Sequence, residues 1–427
     1  MLLNMTIANF KSVKSEQTIS FQGVKDSRLS PSKVIEINEN LKVIKTSAII
    51  GPNGAGKSTF IRALETLKNI IMAPDELQNP LNRAFATSTF KYGGGRKKPA
   101  SIQIEVLLEN GDGTEENPVV IARFKLVADK DRIYEESLQY IINNSRKLMY
   151  ERLYKGEEEG GGYSYRFGKL YRGEKKRQAA KLTENRTFLA GAAKKGGLTA
   201  LELYTWFEKK LNLLPNGTTT ASEQSVIKLL KAHPGWSDQL EKFLWALDIT
   251  DIGGVSTVVD KSGKENLRYK HLYNEQEAYL EIFVRESLSL RRLTAVAFAF
   301  FEAFITEKVI VIDDFGQLLH PDVLCHLIEI FETCDKQSQL LVVDCNPSLL
   351  RDGLLRRDAV WFAQKDKESS TEFYSLSEFK GARGKSSTSN RYMQGAFGAL
   401  PIESEFYFVH DGTPVEAEEE KTEEEVK

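Results

Sequence analysis

Residues 51–58 read GPNGAGKS, and this run restricts the fold more than any other part of the chain. A GxxxxGK[ST] segment works only where a strand turns into a helix, because only there do successive backbone N–H groups converge on one anion. The flanks comply. Residues 43–50 are apolar enough for a buried strand, and residues 58–71 place Phe60, Ile61, Leu64, Leu67, Ile70 and Ile71 close to one helical face. Gly51 and Gly56 permit the tight backbone path, and Asn53, Gly54, Ala55, Gly56 and Thr59 complete the phosphate cradle. Lys57 is placed to reach the β- and γ-phosphates as a binding and catalytic group, and Ser58 to put its hydroxyl on a magnesium ion. The helix presents its positive N-terminal end to the same anion. The expected ligands are ATP and Mg²⁺.

Such a loop needs an acidic partner for the metal. Residues 309–314, VIVIDD, supply an apolar strand ending in two carboxylates. Asp313 is the candidate for the magnesium's outer coordination shell. Asp314 takes the place where hydrolysing enzymes of this kind usually carry a glutamate that polarises the attacking water. Its side chain is one methylene shorter, and a misplacement on the order of 1 Å can lower a rate by about a hundredfold.

The rest of the chain divides by pattern. Residues 2–21 alternate as edge strands of a sheet. Residues 102–108, 119–127 and 133–142 alternate with turn signals at Gly111-Asp112-Gly113, as in an antiparallel β lobe. From residue 182 to about 247 the period becomes helical, interrupted by Pro215 and Pro234, and from 281 onward the chain returns to α/β order. The expected fold class is α/β: a phosphate-loop sheet plus an antiparallel β lobe, with an inserted helical subdomain. The expected divisions are 1–181 (N-terminal lobe), 182–275 (helical insertion), 276–405 (C-terminal lobe) and 406–427 (acidic tail).

Composition limits the function classes. A net charge of -2 with 28% charged residues argues against a polycation that coats nucleic acid. Seven glutamates against two lysines in residues 416–427 read most simply as a solvated, disordered end, with mimicry of nucleic acid as the alternative. Cys325, Cys334 and Cys345 show no CxxC spacing and read as buried thiols of a reducing, cytoplasmic compartment. No apolar run is long enough for a membrane helix, and Asn4, Asn9 and Lys11 interrupt any signal-peptide core. The histidines at 233, 271, 326 and 410 have no HxH or HExxH spacing, which argues against a protein-ligated zinc.

Five motifs in order resemble one group of ATPases: Ile7-x-Asn9-Phe10-Lys11-Ser12, the GPNGAGKST loop, the distant Asp313, Leu319-His320-Pro321, and residues 392–401, YMQGAFGALP. The chain is similar to the stand-alone ABC-type ATPases of the RecF, SMC and OLD-like kind, and within them to the AAA-family ATP-binding proteins such as RloA, AbiL and the PARIS-system ATPase. The resemblance implies an ABC-ATPase head whose two copies close face to face over ATP. A signature segment of the form E-S-x-G-T from one copy contacts the γ-phosphate held by the other. Here residues 286–290 read ESLSL: Ser287 is kept, Ser289 replaces the glycine, and Leu290 replaces a hydroxyl. Simple N-capping of the following helix is the alternative reading of Ser287. The family's γ-phosphate histidine is replaced within Val343-Asp344-Cys345-Asn346. Asn346 is the candidate contact there, with Asp344 opposing the anion. His320 has a bland alternative as a helix-start residue.

Residues 166–181 hold seven Lys or Arg, one Glu, Phe167 and Tyr171, which suits nucleic-acid phosphates or, equally, a solvated hairpin or protein-binding edge. Residues 381–391 read as a flexible loop. The functional expectation is an oligomeric, slowly hydrolysing ATPase, head to head or higher, acting as sensor or scaffold of a bacterial antiphage system with a separate effector such as a nuclease. The alternatives are a RecF-like DNA-repair ATPase and a pseudo-ATPase scaffold.

Overall fold

The computed structural model describes all residues except 25–32, 110–113, 115, 117, 159, 215–222, 274–275, 380–386, 402–408, 411–412 and 415–427. The turn expected at 111–113, the Pro215 interruption, most of the 381–391 loop and the acidic tail from 416 lie outside the described residues.

In chain order, β1 (Leu2–Ala8), β2 (Gln17–Ser20), β3 (Val34–Glu36), β4 (Lys42–Ile44) and β5 (Thr46–Ile50) lead into α1 (Ser58–Ile71) and α2 (Pro80–Phe85). The antiparallel lobe follows: β6 (Ala100–Glu109), β7 (Val120–Ala128), β8 (Ile133–Ile142), β9 (Ser145–Tyr154) and β10 (Tyr163–Phe167). Next come α3 (Lys176–Lys181), α4 (Phe188–Ala193), α5 (Leu198–Thr205), a π-helical turn at Trp206–Lys210, β11 (Leu211–Leu214), α6 (Glu223–Ala232), α7 (Trp236–Ala246), β12 (Ile252–Val259), β13 (Glu265–Tyr273) and β14 (Gln276–Glu281). The chain then runs through α8 (Ile282–Arg285), α9 (Leu288–Ile305), β15 (Val309–Ile312), α10 (Pro321–Glu332), β16 (Gln339–Asp344), β17 (Val360–Lys365), β18 (Thr371–Ser375) and α11 (Thr388–Met393).

Two sheets enclose α1. The phosphate-loop sheet has the order β11-β15-β16-β5-β17-β18, parallel except for β18. The second is antiparallel, in the order β10-β9-β8-β7-β6-β1-β2. The parallel strands are apolar on both faces because both faces are covered. Ile49, Val309, Val311, Leu341 and Val343 point to the layer holding Phe60, Leu64 and Leu67 of α1 and, beyond it, Ala122, Phe124 and Leu126 of β7. Ala48, Ile50, Ile310, Ile312, Leu340 and Val342 point the other way, onto α6, α7, α9 and α10. In β7 alternate residues are buried, the period expected where only one face of a strand is covered. No helix among the described residues is long and apolar enough to cross a membrane.

Several local expectations need correction. β1 is flanked by β2 and β6, so of these two N-terminal strands β2 alone lies at an edge of the sheet. Helical structure in the insertion stops at Ala246. Residues 252–281 form a three-stranded antiparallel sheet, where the β-branched run of β12 and the alternation of β13 outweigh the helical context. β11 leaves the insertion and pairs in parallel with β15. Residues 388–393 are helical, capped by the Ser387 side chain accepting from Asn390 N–H. Cys345 is exposed, whereas Cys325 and Cys334 are buried.

The antiparallel lobe is fastened to the insertion by a buried charge. Glu136 and Arg152 are both fully buried and stand 3.7 Å apart. The Glu136 carboxylate accepts from Tyr150 Oη at 2.8 Å and from the N–H groups of Phe188 and Leu189 at 2.7 and 2.9 Å. Arg152 donates to the carbonyls of Arg186 and Thr183 at 2.6 and 3.0 Å. Burial pushes the Glu136 carboxyl above the usual range, against the pull of Arg152 and these donors. Removing one partner leaves a buried charge unmatched, so Glu136→Ala should lose about 3 kcal/mol or more of stability in urea unfolding.

Candidate nucleotide site

β5 ends at Ile50 in the middle of the parallel sheet, and the loop after it runs straight into α1. A Cβ on Gly51 would lie 2.2 Å from the Ala363 carbonyl oxygen of β17. Gly56 has φ +94°, and a Cβ there would meet Thr371 Oγ1 at 2.0 Å. Neither position tolerates a side chain. The loop is also braced from outside. Thr371 Oγ1 donates to the Ala55 carbonyl at 2.7 Å, Ser12 and Thr371 hydroxyls are 2.8 Å apart, and Ser12 Oγ stands 2.7 Å from Thr59 Oγ1. This gives the opening motif its role. Asn9 takes φ +48° and its amide reaches the carbonyls of Gly95 and Lys98 at 2.9 and 2.8 Å, holding the turn that delivers Ser12.

Lys57 is 7% exposed and donates from Nζ to the carbonyls of Gly51 and Pro52 at 2.9 and 3.0 Å, so its charge faces only neutral acceptors. Ser58 Oγ donates to Asp313 Oδ1 at 2.9 Å. β15 lies two strands from β5, with β16 between, and this spacing brings Asp313 to the start of α1. Asp313 is fully buried, and its second oxygen, Oδ2, has no hydrogen-bond partner. Burial, with the Asp314 charge adding to it, raises the Asp313 carboxyl above its usual range, while the Ser58 hydrogen bond opposes the shift. A hydroxyl beside a half-satisfied buried carboxylate suits a hard divalent cation, which takes few protein ligands and completes its shell with phosphate and water. No cluster of three or more His, Cys, Asp or Glu suited to a metal occurs among the described residues.

Asp314 is exposed and takes φ +49°, outside the range usual for a non-glycine residue. The conformation is held by Arg292 of α9, a residue the sequence reading missed. Its buried guanidinium donates to the carbonyls of Asp313 at 3.0 Å, Phe315 at 3.3 Å and Asp314. The available signal was a charged pair, Arg291-Arg292, inside an otherwise apolar helix. Asp344, expected to oppose an anion, instead ties down the turn: its carboxylate accepts from Gly316 N–H and from Asn346 N–H, the latter at 2.8 Å. Asn346 Oδ1 accepts from Ser348 N–H at 2.9 Å as the cap of a 3₁₀ turn. Asn53 and Gly54 stand exposed at the loop's tip.

Residues 47–343 match the family described as AAA domain, putative AbiEii toxin, Type IV TA system. The chain belongs to this family. It carries an AAA-type nucleotide-binding domain. No curated protein matches the chain. Solved structures similar to it include an SMC head bound to the C-winged helix domain of ScpA, at 15% identity and TM-score 0.48, covering 88% of this chain and 97% of that one. The SMC head domain from Thermotoga maritima aligns at 12% identity and TM-score 0.38, over 88% and 98%. An SMC head with an extended coiled coil, bound to the C-terminal domain of ScpA derived from Pyrococcus furiosus, aligns at 12% and 0.42, over 88% and 96%.

In this AAA-family domain the signature-like segment stands apart from the loop. Ser287 caps α9, accepting from Leu290 N–H at 3.2 Å, and Ser289 donates to the Leu318 carbonyl at 3.0 Å. Neither bonds to residues 51–59 among the described residues. Leu290 is buried, but Val284, Leu288 and Leu318 are exposed around the segment. His320 caps α10, its Nδ1 accepting from Asp322 N–H at 3.2 Å. In the basic stretch, Tyr171 is buried and Phe167 packs against it and Phe188, so neither ring is free to stack on bases. Arg166 pairs with Glu151 at 2.6 Å.

The segment is anchored by His271 of β13, whose Nε2 lies 2.6 Å from Glu286 and Nδ1 3.3 Å from Asp251. Burial alone would lower the imidazole, but the hydrogen bonds and charges of Glu286 and Asp251 outweigh it and raise the ring above 6.5. The charged pair therefore contributes its full stability below that value and loses it as pH rises through the raised one. The difference in Tm between the wild type and His271→Gln should be larger at about pH 6 than at about pH 8.5. For the metal partner, Asp313→Asn should leave a folded apo protein while removing the thermal stabilisation that Mg²⁺ adds to nucleotide binding, as read by thermal shift with and without EDTA.

Proposed function

We propose that this chain binds ATP with Mg²⁺, turns it over slowly, and works as a homo-oligomeric sensor or scaffold that controls a separate effector in bacterial antiphage defence. The observation that carries the nucleotide half is the Asp313 oxygen buried without a partner, beside the Ser58 hydroxyl and a lysine held only by its own loop's carbonyls. Lys57 would exchange those carbonyls for the β- and γ-phosphate oxygens, a neutral contact for a charge-assisted one. Ser58 and, behind it, Asp313 would hold the magnesium, which neutralises developing charge on the phosphates. Asp314 would polarise the water. Its short side chain and exposed position support slow turnover, as does Asn346 in place of a histidine.

Assembly is supported by geometry within one chain. Among the described residues Ser287 and Ser289 make no hydrogen bond to their own phosphate loop, while Leu288 and Leu318 stand 59% and 56% exposed beside them. Large apolar side chains in that position favour covering by another protein surface, here a second copy whose nucleotide meets the signature-like segment. The defence role rests on the family's description as a putative AbiEii toxin of a Type IV toxin–antitoxin system and on the motif order in residues 7–401. The divisions near residues 181, 275 and 405 belong to the same reading.

Lys57→Ala should weaken ATP binding on the order of tenfold to a hundredfold in calorimetry, the worth of a charge-assisted contact. Unchanged affinity would sink the assignment. Asp314→Glu should raise phosphate release by about tenfold or more, because the longer carboxylate reaches the water position. If the rate is unchanged or falls, Asp314 is not the water's partner. Phosphate release from the wild type no faster than from Lys57→Ala, with ATP still bound by the wild type, would leave a scaffold in place of an enzyme.

A further inference from the structure

The phosphate loop lies at the C-terminal ends of the parallel strands. A second cleft, of about 590 Å³, opens at their other ends, lined by Val309 where β15 begins and Gln337 just before β16. Its volume falls in the range of sites that enclose small organic ligands. One wall is apolar: Leu107 and Leu108 from the end of β6, and Leu198 and Leu201 from α5. The two α5 leucines are 55% and 39% exposed, three residues apart on the helix and so on one side of it.

Three polar features mark this cleft as more than a surface fold. Trp206, which lines it, is 2% exposed, and its indole N–H has no hydrogen-bond partner. A buried donor left unmatched is rare in a folded chain and calls for an acceptor. Trp206 also opens the π-helical turn Trp206–Lys210, a backbone form found mostly as single turns and frequently at functional sites. The charges, finally, are unevenly matched. Lys210 is 3.7 Å from Glu307, Lys308 bonds Glu302 at 2.8 Å, and Glu202 accepts from Tyr140 Oη, whereas the exposed Arg172 has no ion pair among the described residues. Among the described side chains that line the cleft, the cations Arg172, Lys210 and Lys308 outnumber the acids Glu202 and Glu307.

We propose that this cleft binds an apolar carboxylate, a small alkyl or aryl acid whose chain packs on Leu198, Leu201 and Trp206. Its carboxylate pairs with Arg172 and accepts from the Trp206 indole N–H. Nothing in the nucleotide site is required for this, so the two sites are separable by mutation.

The test uses the full chain and decanoate, with decanol as a neutral control and decyltrimethylammonium as a cationic one, each below its micelle concentration in calorimetry. Saturable one-to-one binding is expected for decanoate, about tenfold tighter than for decanol and undetectable for the ammonium, since about 1.4 kcal/mol of charge pairing is a factor of ten. Leu201→Glu should weaken decanoate by at least about tenfold. Arg172→Gln, an exposed change that leaves the fold alone, should bring decanoate and decanol to similar affinities. Both variants should bind ATP as the wild type does. Equal binding of decanoate and decanol by the wild type would overturn the proposal, as would undiminished decanoate binding in Leu201→Glu, or tight binding of the ammonium.

Discussion

Asp313 is a carboxylate sealed from water with one oxygen bonded and the other bare, and the surrounding architecture is arranged to keep it so. Desolvating a carboxylate is expensive unless something compensates, and the Ser58 hydroxyl, which donates to Oδ1, offsets part of that cost. The apolar β15 delivers the acid, β16 fixes its distance from β5, and Arg292 takes the carbonyls of the turn that follows. Little has to rearrange where a bare buried carboxylate oxygen meets a cation, which supports the metal role proposed above for Ser58 and Asp313.

The loop depends equally on contacts from distant parts of the sequence. Gly56 turns beneath Thr371 of β18, and Thr371 and Thr59 both meet Ser12, which the antiparallel lobe supplies. The phosphate cradle is thus clamped between two sheets, with α1 as the shared layer. A change at Ser12, far from the loop in sequence, acts on the loop's backbone path before it acts on anything else.

How much of this was legible in the sequence follows the reach of each signal. Periodicity and local chemistry found α1, β8 and β15 at their observed bounds, because a helix face and an apolar strand are written in adjacent residues. The hydrogen bond between Ser58 and Asp313 joins two residues the sequence had singled out together, one ending a GxxxxGK[ST] run and the other ending an apolar strand. Arg292 was not, since its partners are backbone carbonyls, which leave no trace in residue identity. β11 was lost inside a helical context, its four residues too short to show a period and its pairing with β15 wholly nonlocal. The burial of Tyr171 and the capping role of Asn346 were likewise settled by packing that arrives from elsewhere. Cys345 was misjudged for the same reason, its exposure set by the turn after β16.

The pairing of β11 with β15 also bears on how such a chain can change over time. An insertion that only decorates a domain can be trimmed, swapped or lost without harm to its host. Here the segment proposed as an insertion contributes β11, the outer strand of the sheet that carries Asp313, so its excision would bare the hydrogen-bonding edge of β15. An unprotected edge of that kind, made of Val and Ile, is a template for self-association. The insertion and the nucleotide-binding sheet are therefore bound to a common history: they can diverge together, but one cannot be exchanged like a cassette while the other stands unchanged.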